Sequence, residues 1–131
     1  MIGLDANALL GLLEQENTTR GRSAKTLLRQ AKNEGEGYIH PLALAKLGDA
    51  LEQILGERTR IADYLDYVLD APEFTVGHAK AAREALKRYR EGSGRFSDCL
   101  LVILNRAAGC QSTFVWGDQA GDSAGFTELA G

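Results

Sequence analysis

The chain has 131 residues, which suits one domain over 1–131 and leaves no room for a second. Hydrophobic residues make up 44% and charged residues 25%, so a core can form and a disordered chain is excluded. A formal net charge of −3 excludes nucleic-acid binding by bulk positive charge; any RNA contact has to come from a local basic face.

Ile2-Gly3-Leu4 is a short apolar run that reads as a buried strand ending at Asp5. Asn7 to Glu14 carries Ala8, Leu9, Leu12 and Leu13 as an apolar stripe and predicts a short helix. Thr18-Thr19 opens a second helix with Ala24, Leu27, Leu28 and Ala31 at helical spacing, and Asn33-Glu34-Gly35-Glu36-Gly37 breaks it. Tyr38-Ile39 is a second strand. Pro41 then opens a helix bearing Leu42, Ala45, Leu51, Ile54 and Leu55. A turn at Gly56 to Thr59 leads to a fourth helix with Ile61, Leu65, Val68 and Leu69. Phe74-Thr75-Val76 is a third strand, followed by a helix over His78 to Glu91 with Ala79, Ala82, Leu86 and Tyr89 on one side. Gly92-Ser93-Gly94 separates it from an almost wholly apolar helix that ends near Ala108-Gly109. Thr113-Phe114-Val115-Trp116 is a fourth strand, and Phe126-Thr127-Glu128-Leu129 a fifth.

Short strands alternating with helices imply crossover units. The expected fold is therefore α/β, a three-layer α/β/α sandwich on a short, mainly parallel central sheet. Such sheets take ligands at the carboxyl ends of their strands, which singles out Asp5. At that position a carboxylate either caps the helix that follows or holds a metal. Asp98 is the second conspicuous acid, since every neighbour on its C-terminal side in Cys99-Leu100-Leu101-Val102 is apolar. Cys99 reads as a core hydrophobe, and Cys110 has no partner that would suggest a disulfide or a zinc site. His40 and His78 read as strand-end and helix-start residues, and Trp116 as packed. No apolar run approaches the roughly 20 residues that span a bilayer. Met1 reaches Asp5 without a basic leader, so a cytoplasmic chain is expected.

Met1-Ile2-Gly3-Leu4-Asp5-Ala6-Asn7-Ala8-Leu9 resembles the opening of PIN domains, an apolar strand followed by Asp-Thr-Asn. Phe96-Ser97-Asp98-Cys99-Leu100 is similar to the family's Phe-Ala-Asp-Ala-Leu element, and Ala107-Ala108-Gly109-Cys110 to its entry into strand four. With Pro41-Leu42-Ala43-Leu44-Ala45 and Tyr89-Arg90-Glu91-Gly92 between them, the resemblance to VapC-type members covers essentially the whole chain. It implies a toxin endoribonuclease with Mg²⁺ or Mn²⁺ at converging carboxylates, a homodimer, and a VapB-like antitoxin as partner. Asp5 and Asp98 then stand as catalytic metal ligands at one end of the sheet, with Asn7 and Ser97 in support.

Two positions depart from that pattern. Lys46 stands where the family has Glu, and Gly117 where it has an acid after strand four. Asp49, one turn beyond Lys46, and Asp118, beside Gly117, are the available substitutes. Lys46 pointing inward would pair with Asp5 or Asp98 in place of the metal. The alternative to an impaired nuclease is a non-catalytic PIN domain that binds an antitoxin-like partner or RNA without cleavage. A receiver-like phosphoacceptor is disfavoured, because no acidic pair follows the first strand.

Arg83, Lys87 and Arg90 recur at helical spacing, with Lys80, Arg88 and Arg95 alongside. This basic stretch fits a solvated helix face or an RNA-backbone track over Arg83, Lys87, Arg90 and Arg95. The apolar content of Ile61 to Leu69 exceeds what one short sheet covers and predicts a homodimer.

Overall fold

The structure, a computed structural model, describes residues 1–11, 19–30, 35–92, 94–116 and 125–129. The expected stripe residues Leu12 and Leu13, and the positions Gly117 and Asp118, lie outside these. Chain order is β1 (Ile2–Leu4), α1 (Ala6–Leu10), α2 (Thr19–Gln30), β2 (Gly37–Ile39), α3 (Pro41–Ile54), α4 (Arg58–Asp70), β3 (Phe74–Val76), α5 (Ala79–Arg90), α6 (Phe96–Ala107), β4 (Thr113–Trp116) and β5 (Phe126–Leu129).

The fold is a small α/β fold in which every strand pairing among the described residues is parallel, as the alternation of elements predicts. β2 lies between β1 and β3, with Tyr38 opposite Gly3 on one side and Thr75 on the other. β4 and β5 form a separate two-stranded sheet. The carboxyl ends of β1, β2 and β3 therefore lie together, and each leads into a helix start. Asp5 caps α1 there by accepting from the Ala8 amide at 2.8 Å. His40 caps α3 through Nδ1, which accepts from the Leu42 amide at 2.9 Å, while Pro41 takes the first helical position, where a missing N–H costs nothing. His78 starts α5 with a left-handed backbone (φ 53, ψ 46).

Strands of three or four residues cannot carry a domain, and the core is built mainly by α3 to α6. Leu44, Leu47 and Leu51 of α3, Ile61, Leu65 and Val68 of α4, Ala82, Leu86 and Tyr89 of α5, and Phe96, Leu100 and Ile103 of α6 recur at three- and four-residue spacing and share one cluster. The α4 stripe that suggested a dimer is covered within the chain. Ile61, Ala62, Leu65 and Val68 are fully buried, and α4 packs on α5 and α3. Helices, and not only the sheet, cover the face from Ile61 to Leu69, so its apolar content does not call for a second copy as the sequence suggests.

The start of α6 is held with particular closeness. Phe96 lies on Gly48 of α3, where an added Cβ would come within 2.9 Å of Phe96 Cδ2. The Tyr89 ring meets Phe96 edge-on, with centroids 6.3 Å apart. The Tyr89 hydroxyl donates to Glu52 Oε1 at 2.7 Å, and burial, then Glu52, pushes the phenol pKa upward. Arg58 lies over the same ring at 4.4 Å and donates from Nη1 to the Tyr89 and Gly94 carbonyls at 3.0 and 2.7 Å.

Substitution Gly48→Ala is expected to overpack this contact and cost about 1–3 kcal/mol, read as a lower urea midpoint. An unchanged midpoint would show that Phe96 moves aside freely.

Candidate functional site

Asp49 is carried on the second half of α3, and the Phe96–Gly48 contact brings the first turn of α6 against it. Ser97 Oγ donates to Asp49 Oδ1 at 2.7 Å. Arg95, the residue before α6, places Nη2 at 3.5 Å from the same Asp49 oxygen and Nε at 3.9 Å from Asp98 Oδ2. The result is a mixed cluster of Asp49, Arg95, Ser97 and Asp98 that joins α3 to α6. Partial burial pushes the Asp98 carboxyl above its usual range; Arg95 pulls it down, and Asp49 pushes it up again.

The structure brings Asp98 to Asp49, with Arg95 beside both. The charged groups that act on Asp98 are Arg95 and Asp49. Asp5 is exposed, and one oxygen of its carboxylate caps α1 by accepting from the Ala8 amide. Tyr64 helps to fix this corner, donating from its hydroxyl to the Leu9 carbonyl at 2.6 Å. Asn7 is exposed on the first turn of α1. Lys46 is also exposed and makes no ion pair with a described residue, so the expected pairing with Asp5 or Asp98 is not formed. Arg95 takes that part instead, because it directly precedes the helix that carries Asp98.

Among the described residues, no three His, Cys, Asp or Glu side chains gather where they could hold a metal ion. Mg²⁺ and Mn²⁺ prefer several oxygen donors, and here two half-exposed carboxylates have part of their negative charge offset by the guanidinium beside both. The described residues therefore do not fit the metal centre that the PIN resemblance implies, and Asp5, Asp49 and Asp98 do not form one set of ligands. Asp118, the remaining tentative ligand, lies outside them.

The expected RNA track is also altered. Arg83 pairs with Asp70 at 2.8 Å and donates to the Leu69 carbonyl at 2.9 Å. Arg90 Nη2 reaches Asp63 at 2.9 Å and Asp66 at 2.8 Å, and these bonds tighten its hold on its proton. With Arg95 turned to Asp49 and Asp98, only Lys87 of the four expected contacts lacks an ion-pair partner among the described residues. The signal for this was present in the sequence: Asp63, Asp66 and Asp70 lie three and four residues apart, an acidic stripe on α4 that matches the basic one on α5.

Cys99 is buried, and burial pushes its thiol pKa up; Cys110 is exposed. Trp116, expected to be packed, is 65% exposed and shares the outer face of β4 with Phe114.

Two substitutions separate the influences on Asp98. Arg95→Met removes the cation and should raise the Asp98 pKa further, whereas Asp49→Asn removes the repelling acid and should lower it. Carboxyl-carbon NMR titration reads both. Because the folded value is raised, Asp98 favours the folded state below the ordinary carboxylate pKa, and that stability is lost as pH rises through the folded value. Asp98→Asn should therefore flatten the acid side of the stability profile, and an unchanged profile would refute the assignment.

Comparison of the chain with family models, with curated proteins and with solved structures finds no match, so the reading of this cluster rests on its own residues.

Proposed function

We propose that this chain is a VapC-like PIN domain that binds an antitoxin-like partner or RNA and does not carry out metal-dependent cleavage. The observation that carries this reading is Arg95 lying against both Asp49 and Asp98. A centre that cuts RNA with a divalent cation needs converging anions with room for the ion. Here the cation is already supplied by the protein, as a guanidinium that cannot lose its charge. Lys46 strengthens the argument, because it adds positive charge on α3 at the position where the family has Glu.

The family part of the proposal is supported by the motifs around Asp5 and Asp98 and agrees with a small parallel α/β fold. The residues themselves have structural tasks. Asp49 accepts from Ser97 and anchors the first turn of α6; Asp5 caps α1. No hydrolytic step is assigned to either. A competent Mg²⁺- or Mn²⁺-dependent endoribonuclease is the second reading, favoured by the meeting of Asp49 with Asp98.

Calorimetric titration with Mg²⁺ and Mn²⁺, alongside a ribonuclease assay, decides between them. The unaltered protein should show no saturable ion binding and no cleavage. Lys46→Glu combined with Arg95→Met should gain ion affinity, because two cations are removed and one anion added. RNA cleavage by the unaltered protein in Mg²⁺, abolished by Asp98→Asn, would overturn the proposal.

A further inference from the structure

A second group of charged side chains surrounds a cavity elsewhere on the molecule. The first turns of α5 and the last turns of α6 enclose a space of about 370 Å³, open to solvent and lined by His78, Lys80, Ala81, Glu84, Ile103 and Arg106. It begins where β3 ends, since α5 starts three residues after Val76. Parallel sheets take ligands at this end of their strands. Arg95 precedes α6 and Arg106 lies in its last turn, so the cavity is on the order of 16 Å along the helix from the Asp49–Arg95–Asp98 cluster.

The two cations of the lining differ from the arginines of the basic stretch that form ion pairs. Arg83, Arg90 and Arg95 are each held by carboxylates. Lys80 and Arg106 have no such partner among the described residues, and neither the His78 nor the Glu84 side chain is hydrogen-bonded to one. Two full positive charges thus face one negative charge across an open space. The His78 side chain leaves the first amides of α5 uncapped, so those N–H groups add to the positive potential there. Ile103 and Ala81 supply an apolar strip between the charged groups. A bare phosphate would leave the apolar strip uncovered, whereas a phosphate joined to a ring system matches both the charge and the apolar strip.

We propose that the cavity between the start of α5 and the end of α6 binds the phosphomonoester of a nucleotide, with Lys80 and Arg106 on the phosphate and Glu84 accepting from a ligand donor. The site stands whether or not the acidic cluster holds a metal, so its test is independent of the proposal above. The phosphate can belong to a free nucleotide or to the 5′-phosphorylated end of RNA.

Adenosine 5′-monophosphate titrated into the purified protein without metal should shift the amide resonances of Ala79, Lys80 and Ala81 in a saturable way. Adenosine should not shift them, and inorganic phosphate should bind more weakly than the nucleotide. Lys80→Gln and Arg106→Gln, both at exposed positions, should each weaken binding about tenfold, as expected for one charge-assisted contact. A 5′-phosphorylated oligoribonucleotide that binds more tightly than the nucleotide, with its 5′-hydroxyl counterpart inert, identifies the RNA end; equal or weaker binding identifies the free nucleotide. Absence of saturable shifts through the millimolar range, equal response to adenosine, or unchanged affinity in both variants would overturn the site.

Discussion

The placement of the acidic cluster depends on the contact of Phe96 with Gly48. Only a residue without a Cβ lets the aromatic ring lie directly on the α3 backbone, and that approach sets where α6 begins. Tyr89 closes over the other side of the ring, and Arg58 ties the turn that precedes α6 to the N-terminal end of α4. Ser97 and Asp98 are the next two residues, so their meeting with Asp49 follows from packing rather than from any attraction between acids. The like charges are brought together by this packing and compensated within the same turn. Arg95 is the compensation, and it comes from the same turn that the aromatic contact positions.

Charge elsewhere in the molecule follows a similar rule. Asp63, Asp66 and Asp70 on α4 face Arg90 and Arg83 on α5, so two amphipathic helices whose apolar stripes fuse in the core also match along their solvent edges. Each exposed pair contributes little alone. Together they fix the register of α4 against α5 and remove most of the positive face that a basic run in sequence suggests. Among the described residues some cations remain without a carboxylate partner, Lys80 and Arg106 among them. Lys80 and Arg106 lie at the opposite end of the α5–α6 pair from Arg95, beside an open cavity. A modest net charge of −3 thus conceals an uneven distribution, with neutralised helix faces and one locally positive recess.

Much of the architecture was legible in the chain itself. Three- and four-residue spacing identified the buried faces of α4 and α5, including Leu65 and Leu86, whereas on α3 the expected Leu42 and Ile54 are exposed and Leu44 and Leu47 join Leu51 in the core, because an apolar-rich helix offers more than one candidate stripe. Pro41 and Gly56 bracketed α3 through backbone geometry that depends on no distant partner. The caps made by Asp5 and His40 are equally local. Periodicity, however, identifies a face and not its neighbour. The stripe from Ile61 to Leu69 was visible, yet its cover by α5 and α3 came only with the fold. Trp116 was taken as packed because strand residues usually are, whereas its position on the outer face of β4 depends on which side that small sheet turns inward.

The sequence by itself determined the elements, the core faces of α4 and α5 and the presence of unusual acids at Asp5 and Asp98, since these follow from local backbone preference and short-range spacing. Only the tertiary structure decided that Asp98 meets Asp49, that Arg95 rather than Lys46 stands against them, and that Lys80 and Arg106 share a cavity. Coulomb interactions act through space, and their strength depends on distances between side chains that are far apart in the chain. Those distances exist only once Phe96 has packed on Gly48 and α5 has packed against α6.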